Sequence, residues 1–246
     1  MKIVIPMAGR GERFLSRGIY TPKPLIDILG RPMMEWALKS VENLPHTETI
    51  FIVLREHERD YSVSGTIRRL AGKARIIMLE EPTQGQLCTV LAAKRYIDTD
   101  EDILIHNIDT FLISDIASDV KNKSEDTAGI ISVIEAPGER WSFAKTDDDG
   151  RVIEVAEKAR ISDNVSTGMY YFSSGKEFVT EAEELIKNRE TARGEYYVIL
   201  VYKKYIEKGK KIVISRARQM YDLGNVESLE AFKKTYRGRF TLPQHI

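Results

Sequence analysis

Residues 2–14 read KIVIPMAGRGERF, a short unbroken apolar run that stops against a charged loop containing two glycines. Three more runs of this kind follow, TIFIVL at 49–54, ARIIML at 74–79 and DILIHN at 102–107. Continuous β-branched segments without polar alternation predict buried strands of a parallel sheet that is covered on both faces. The intervening stretches have the helical period. Over Pro32 to Asn43, Met33, Trp36, Ala37, Ser40 and Val41 fall near one face, and over Gln86 to Ile97 so do Leu87, Val90, Leu91, Lys94 and Tyr96. Alternating strands and helices predict an α/β open sheet.

From about residue 127 the texture changes. TAGIISVIEAP, WSFAKTDDDGRVIEVAEKA and VSTGMYYFSS read as short strands, with a reversal at Asp147-Asp148-Asp149-Gly150, where the Asp-Gly pair favours a tight hairpin. This predicts an antiparallel lobe after the parallel half. Glu177 to Asn188, Glu195 to Lys208 and Val226 to Thr235 read as helices and KKIVISRA (210–217) as a strand, with no internal repeat.

A length of 246 residues suits one large domain, and 37 basic against 37 acidic side chains leave no net charge to draw the chain to a nucleic-acid backbone or an anionic membrane. No nucleic-acid or membrane partner is therefore expected. The lone Cys88 cannot form an internal disulfide, and the opening apolar run is too short for a secretory leader. No stretch approaches the roughly 18 apolar residues of a membrane span, so the expected location is cytoplasmic.

The loop after the first strand, MAGRGER (7–13), suits close approach of backbone N–H groups to a phosphate. It is not a Walker loop, since no Gly-Lys-Ser/Thr follows, and not a dinucleotide fingerprint, since Phe14 holds the third glycine position. Farther on, Thr21-Pro22-Lys23-Pro24-Leu25 presents a lysine between two prolines that fix its backbone, and Gly30-Arg31-Pro32-Met33 opens a helix.

Together, MAGRGERF and TPKPLIDILGRPMMEWAL resemble the signature of the nucleotidyltransferases that make nucleoside-diphosphate sugars from sugar 1-phosphates: Gly-x-Gly-x-Arg, Pro-Lys-x-Leu and Gly-x-Pro in that order. The resemblance continues. EEPTQGQLCTVLAAKRYI (80–97) is similar to the base-recognising loop and helix, and DILIHNIDTF (102–111) to the strand ending in a metal-binding aspartate. EVAEKARISDNVSTGMYYF (154–172) is similar to the sugar-pocket Glu-Lys segment, and MYDLGNVESL (220–229) to the segment with a second metal-binding aspartate.

What the resemblance implies is a three-layer αβα Rossmann-like fold with a mixed, mostly parallel sheet and a small antiparallel sugar-binding lobe. The chain then forms one domain, with a nucleotide-binding half at 1–126, an acceptor-binding lobe at 127–225, and a closing helix and tail at 226–246. The implied substrates are a nucleoside triphosphate and a small phosphorylated acceptor, the implied cofactor is Mg2+, and a homo-oligomer is compatible. Asp109 and Asp222 become the metal pair, since magnesium commonly takes only one or two protein carboxylates. Arg13 and Lys23, with Asp109, become the catalytic set, the two cations gripping phosphates as fork and point charge. Ala8, Gly9, Gly11, Arg13, Glu80, Glu81 and Gly85 become nucleotide-binding residues, and Glu157, Lys158 and Gly168 hold the acceptor.

Several positions depart from the family pattern. Glu12 stands where a small hydroxyl residue is usual, Ile108-Asp109-Thr110 replaces Gly-Asp-Asn, Ala159 replaces a proline after Glu157-Lys158, and Asp222-Leu223-Gly224-Asn225-Val226 lacks the Gly-Thr-Pro ending. The acceptor is thus open, a hexose 1-phosphate, phosphocholine and a phosphonate all fitting the pattern, and the base is undecided. Two other readings stand beside nucleotidyl transfer: a nucleotide-sugar-dependent glycosyltransferase using Asn107-Ile108-Asp109, and an inactive nucleotide-sugar sensor. His46, His57, His106 and His245 have no zinc-site spacing, Cys88 reads as a small buried apolar side chain, and Asp98-Thr99-Asp100 as a helix stop.

Overall fold

Among residues 1–237, which the computed structural model describes, twelve strands form in chain order: β1 (Lys2–Pro6), β2 (Asp27–Ile28), β3 (Arg31–Pro32), β4 (Glu48–Leu54), β5 (Arg75–Leu79), β6 (Ile103–His106), β7 (Thr110–Ser114), β8 (Thr127–Glu135), β9 (Ser142–Thr146), β10 (Val152–Glu157), β11 (Asn164–Phe172) and β12 (Lys211–Asp222). The tail beyond 237, with His245, lies outside the described residues. The main sheet runs β5-β4-β1-β6-β11-β8-β12-β7, with β9 and β10 appended beside β11, while β2 and β3 form a separate small antiparallel ladder. The first four apolar runs make the parallel block β5-β4-β1-β6, and β11 then enters antiparallel to β6.

Strand periodicity explains how one sheet separates two cores. Ile3, Ile5, Phe51, Val53 and Leu104 point to one face, where Met34, Ala37, Val63 and Ile67 pack from helices. Val4, Ile50, Ile52, Ile103 and Ile105 point to the other, against Leu87, Val90, Phe178, Ala182 and Ile199. Both faces being covered is what the continuous apolar runs required. The run at 74–79 differs: β5 is the outermost strand and every one of its residues is only half-buried.

Three predicted elements are shorter and one is longer. The helix expected over Pro32 to Asn43 spans Met33–Lys39. The segment 86–97 is two helices, Gln86–Leu91 and Lys94–Ile97, because Ala92 and Ala93 bond three residues back, to Thr89 and Val90. The helix expected from Glu195 begins at Ile199, since the Tyr196 backbone is already committed: its N–H donates to Gln84 O (3.1 Å) and its carbonyl accepts from Leu87 N (3.0 Å). In contrast, β12 runs through Asp222, pairing parallel to β8 up to Arg216 and antiparallel to β7 from Ala217 onward, with a register irregularity between Ala217 and Gln219 where it changes partner. Cys88 is half-buried rather than buried, and burial raises its thiol pKa.

The contact at Tyr196 gives a stability prediction. Gly85 has φ +108°, and a Cβ there would lie 2.5 Å from the Tyr196 carbonyl oxygen and 2.7 Å from its nitrogen. Gly85→Ala is expected to lose about 2–3 kcal/mol, from combined backbone strain and collision, seen as a lower urea midpoint at unchanged slope. A midpoint equal to the parent's would mean that the loop 82–85 shifts without cost.

His106 supplies a pH dependence. It ends β6 with no exposed surface, and burial drives its pKa down to about 4, the neighbouring Asp109 carboxylate opposing only in part. The native imidazole stays neutral while the unfolded one takes a proton near 6.5. Between those values the unfolded state binds more protons, so this contribution is complete above about pH 6.5 and is lost as pH falls towards 4. The loss is on the order of 2–3 kcal/mol by pH 4.5, and His106→Met is expected to flatten that limb of a urea-unfolding series. Stability independent of pH between 6.5 and 5 would refute it.

Candidate functional site

Ligands of open α/β sheets gather beyond the carboxyl ends of the parallel strands, and here a cavity of about 610 Å³ opens there, between the parallel block and the β9–β11 lobe. The loop leaving β1 forms one wall. Met7 still donates to Ile52 O (2.9 Å), Gly11 then takes φ 74°, and the one-turn helix Glu12–Leu15 is pinned by the buried Phe14. This places Gly9, Gly11, Glu12 and Arg13 on the cavity wall. A Cβ on Gly11 would stand 3.3 Å from Cβ of Lys23, so the loop and the proline-flanked turn Lys23–Leu25 lie against each other.

Lys23 donates a hydrogen bond to Oδ2 of Asp109. Burial pushes the Asp109 carboxyl up, and the Lys23 ammonium beside it outweighs that, holding it below the ordinary carboxylate value. The second aspartate arrives through sheet register. β12 pairs with β7 so that Asp222 stands opposite Thr110, and Leu223 N donates to Asp109 O at 2.8 Å. The space at Gly224 reports how close the carboxylates come: a Cβ there would be 2.7 Å from Oδ2 of Asp109 and 2.9 Å from Oδ1 of Asp222. Asp222 is oriented by Gly224 N (2.8 Å), Ser228 Oγ (3.3 Å), Asn225 Nδ2 (3.4 Å) and, from across the cleft, Arg140 Nη2 (2.6 Å).

The opposite wall is polar and aromatic. Glu157 ends β10 and accepts from the Ser142 hydroxyl; burial raises its pKa, and that hydrogen bond offsets only part of the rise. Lys158 takes the left-handed conformation, φ 53°, while its N–H donates to Trp141 O (2.8 Å) and its ammonium to the Tyr197 hydroxyl, which in turn donates to Glu195 Oε2 (2.7 Å). A strained non-glycine residue of this kind is held by its surroundings. Between the walls, Gln86 donates to Asn107 Oδ1, and Gly168, at φ 80°, leaves the room that the Asn107 amide fills.

A family model described as nucleotidyl transferase matches residues 2–238. The chain belongs to the nucleotidyl transferase family. Among curated relatives, this chain is 27% identical over 205 residues to the bifunctional protein GlmU of Thermotoga maritima, covering 80% of this chain and 43% of that protein. It is 29% identical over 233 residues to GlmU of Methanococcus vannielii, covering 91% and 52%. The chain thus spans about half the length of the curated relatives it matches. A nucleoside-diphosphate-sugar pyrophosphorylase from Vibrio cholerae superposes with TM-score 0.81 at 29% identity, over 95% of this chain and all of that one. A Bacillus anthracis protein described as a putative glucose-1-phosphate thymidylyltransferase has the same fold, with TM-score 0.77 at 19% identity over 98% and 96% of the two chains.

Of the residues singled out in the sequence, Gly9, Gly11, Arg13, Lys23, Asp109, Glu157, Lys158, Gly168 and Asp222 line this cavity. Four expected at the base do not. Ala8 is buried in the core and Gly85 backs onto Tyr196. Glu80 and Glu81, 73% and 74% exposed, pair outward with Arg55 (2.5 Å) and Arg10 (2.8 Å). Each carboxylate finds a guanidinium at the surface and keeps its hydration, which is cheaper than turning into the cavity. The wall at that end is Gln86 instead. Arg140, Trp141, Ser142, Tyr170, Glu195 and Tyr197 also line the cavity and were not legible from spacing, since they come from three separate segments. The only local trace was a run of polar and aromatic residues, Arg140-Trp141-Ser142, at the entry to a strand.

Proposed function

We propose that this transferase moves the nucleoside monophosphate of a triphosphate onto a small phosphorylated acceptor, a sugar 1-phosphate or a compound of similar charge. An acceptor phosphate oxygen attacks the α-phosphorus in line, the bond from that phosphorus to the β-phosphate oxygen breaks, and pyrophosphate leaves. The observation that carries this reading is that a single cavity joins a cationic phosphate loop and a carboxylate pair to a second polar wall built around Lys158. Two anionic reactants need this arrangement, because their transfer is mostly positioning and charge neutralisation.

Arg13 and Lys23 bind and orient the triphosphate and meet the negative charge that accumulates on the leaving pyrophosphate. Lys158 receives the acceptor phosphate, Glu157 its polar groups, and Gly168 gives the space in which Asn107 stands between the two substrates. Among the described residues no cluster of three or more His, Cys, Asp or Glu side chains is set to hold a metal. Two converging carboxylates without a fuller cage suit Mg2+, which keeps waters and takes the rest of its ligands from phosphates. Asp109 and Asp222 would hold it, and it would supply Lewis-acid charge to the reacting phosphates. No helix among the described residues is long and apolar enough to cross a membrane.

The test is Mg2+-dependent pyrophosphate release from CTP, UTP, dTTP, ATP and GTP against sugar 1-phosphates, phosphocholine and small phosphonates. Release with one pair supports nucleotidyl transfer and names base and acceptor together. Transfer from a preformed nucleoside-diphosphate sugar without pyrophosphate release would overturn it.

A further inference from the structure

Arg140 reaches from the wall around Lys158 to the carboxylate pair. It sits in the connection between β8 and β9 and donates from Nη2 to Oδ2 of Asp222 at 2.6 Å. The other three partners of that carboxylate, Gly224, Asn225 and Ser228, follow it within six residues and fix its direction. They leave it pointing at the cleft, and Arg140 meets it there. The Arg140 side chain is half-exposed while that of Asp222 is 18% exposed, so the guanidinium has room to leave and the carboxylate does not.

The connection that carries Arg140 is anchored. Arg160 Nη1 donates to the carbonyls of Ala136 and Gly138, each at 3.1 Å, Trp141 Nε1 donates to Pro137 O at 3.0 Å, and the Arg140 guanidinium lies 4.1 Å from the centre of the Trp141 ring. The backbone therefore delivers this cation to a fixed place over the cavity, between Asp222 and the wall holding Lys158. Lys23 occupies Asp109 in the same way from the nucleotide side. Both carboxylates thus carry a protein cation, and both cations line the same cavity.

We infer that Arg140 is a positioning residue that exchanges partners: it neutralises Asp222 while no divalent cation is bound, and turns to the acceptor phosphate once a cation takes that carboxylate. A guanidinium suits both tasks, since carboxylate and phosphate present the same pair of oxygens to its fork. The exchange spares Asp222 an unpaired charge beside the apolar core in the free protein. It also couples cation binding to acceptor capture, because the fork is released only when the metal site is filled. The second half rests on the nucleotidyl-transfer reading; the first does not.

The test uses the whole chain, with Mn2+ as the probe. Free Mn2+ is followed by electron paramagnetic resonance during titration of the parent and of Arg140→Ala, without nucleotide and with a non-hydrolysable triphosphate. Removing the competitor is expected to tighten Mn2+ binding about threefold to fivefold, with an unchanged melting temperature. In the pyrophosphate-release assay the same variant is expected to raise the acceptor KM about tenfold and leave the triphosphate KM within about twofold of the parent value. A merely structural role would move the melting temperature and both KM values together. Equal or weaker Mn2+ binding, or no binding by either protein, overturns the exchange. An unchanged acceptor KM in an active variant overturns the phosphate half. Should the parent release no pyrophosphate with any pair, nucleotidyl transfer fails and the Mn2+ comparison alone decides the role of Arg140.

Discussion

Asp109→Asn is expected to lower pyrophosphate release about a thousandfold or more while the protein melts within a few degrees of the parent. The asparagine is nearly isosteric, so its surroundings, including the bond from Leu223 N to the residue 109 carbonyl, are kept. What disappears is charge. Asp109 is held ionised by Lys23, and a neutral amide neither pairs with that ammonium nor offers a divalent cation an anionic ligand. The measurement is steady-state kcat at saturating Mg2+, set beside thermal unfolding. Near-parent turnover would remove Asp109 from the metal pair, and unfolding of the variant would make it structural.

Lys23→Ala is expected to cost about a hundredfold to a thousandfold in kcat, the usual size for losing one charge that stabilises a leaving group, with a stability loss within about 1 kcal/mol. The stability effect stays limited because the pair lines the open cavity, where water reaches the Asp109 carboxylate once the ammonium is removed; the two side chains are 20% and 23% exposed. Lys23→Arg should recover part of the activity, since charge is restored at the wrong length. A variant that loses thermal stability and keeps kcat would show that the ammonium serves the fold through Asp109 and not the reaction.

The parallel half of the fold was readable because burial on both faces imposes a sequence rule, and that rule is local. The central residues of KIVIP, TIFIVL and DILIHN are apolar and buried because their strands have helices above and below. The loop that lines the cavity was readable for a similar reason, as Gly9, Gly11, Arg13 and the proline-flanked Lys23 lie in one short stretch of chain. β12 was readable only in part. Its opening Ile212-Val213-Ile214 carries the familiar apolar run, and the rest, from Arg216 through Asp222, mixes polar and apolar residues with none fully buried, where period alone does not separate strand from loop.

Glu80 and Glu81, expected on the base side, stand outside the cavity lining because of their partners. Their guanidinium neighbours, Arg55 and Arg10, are 25 and 71 residues away in the chain, and no local pattern announces such pairs. The same distance hid Arg140, which meets Asp222 across 82 residues, and Tyr197, which meets Lys158 across 39. Each is an ordinary surface residue until the sheet order brings it to the cavity.

By itself, then, the sequence determined the α/β class and the glycine-arginine loop after β1, because these depend on residue type and short spacing, while Asp109 and Asp222, far apart in the chain, were paired only through the family resemblance. Only the tertiary structure decided that the aspartates converge, through the β7–β12 register and the bare Cα of Gly224. It also decided which carboxylates face the cavity and which are claimed by surface arginines, and that Arg140, from the connection between β8 and β9, stands on Asp222. Those outcomes depend on electrostatic partners supplied by strand order, and strand order is a property of the packed sheet that no single segment encodes.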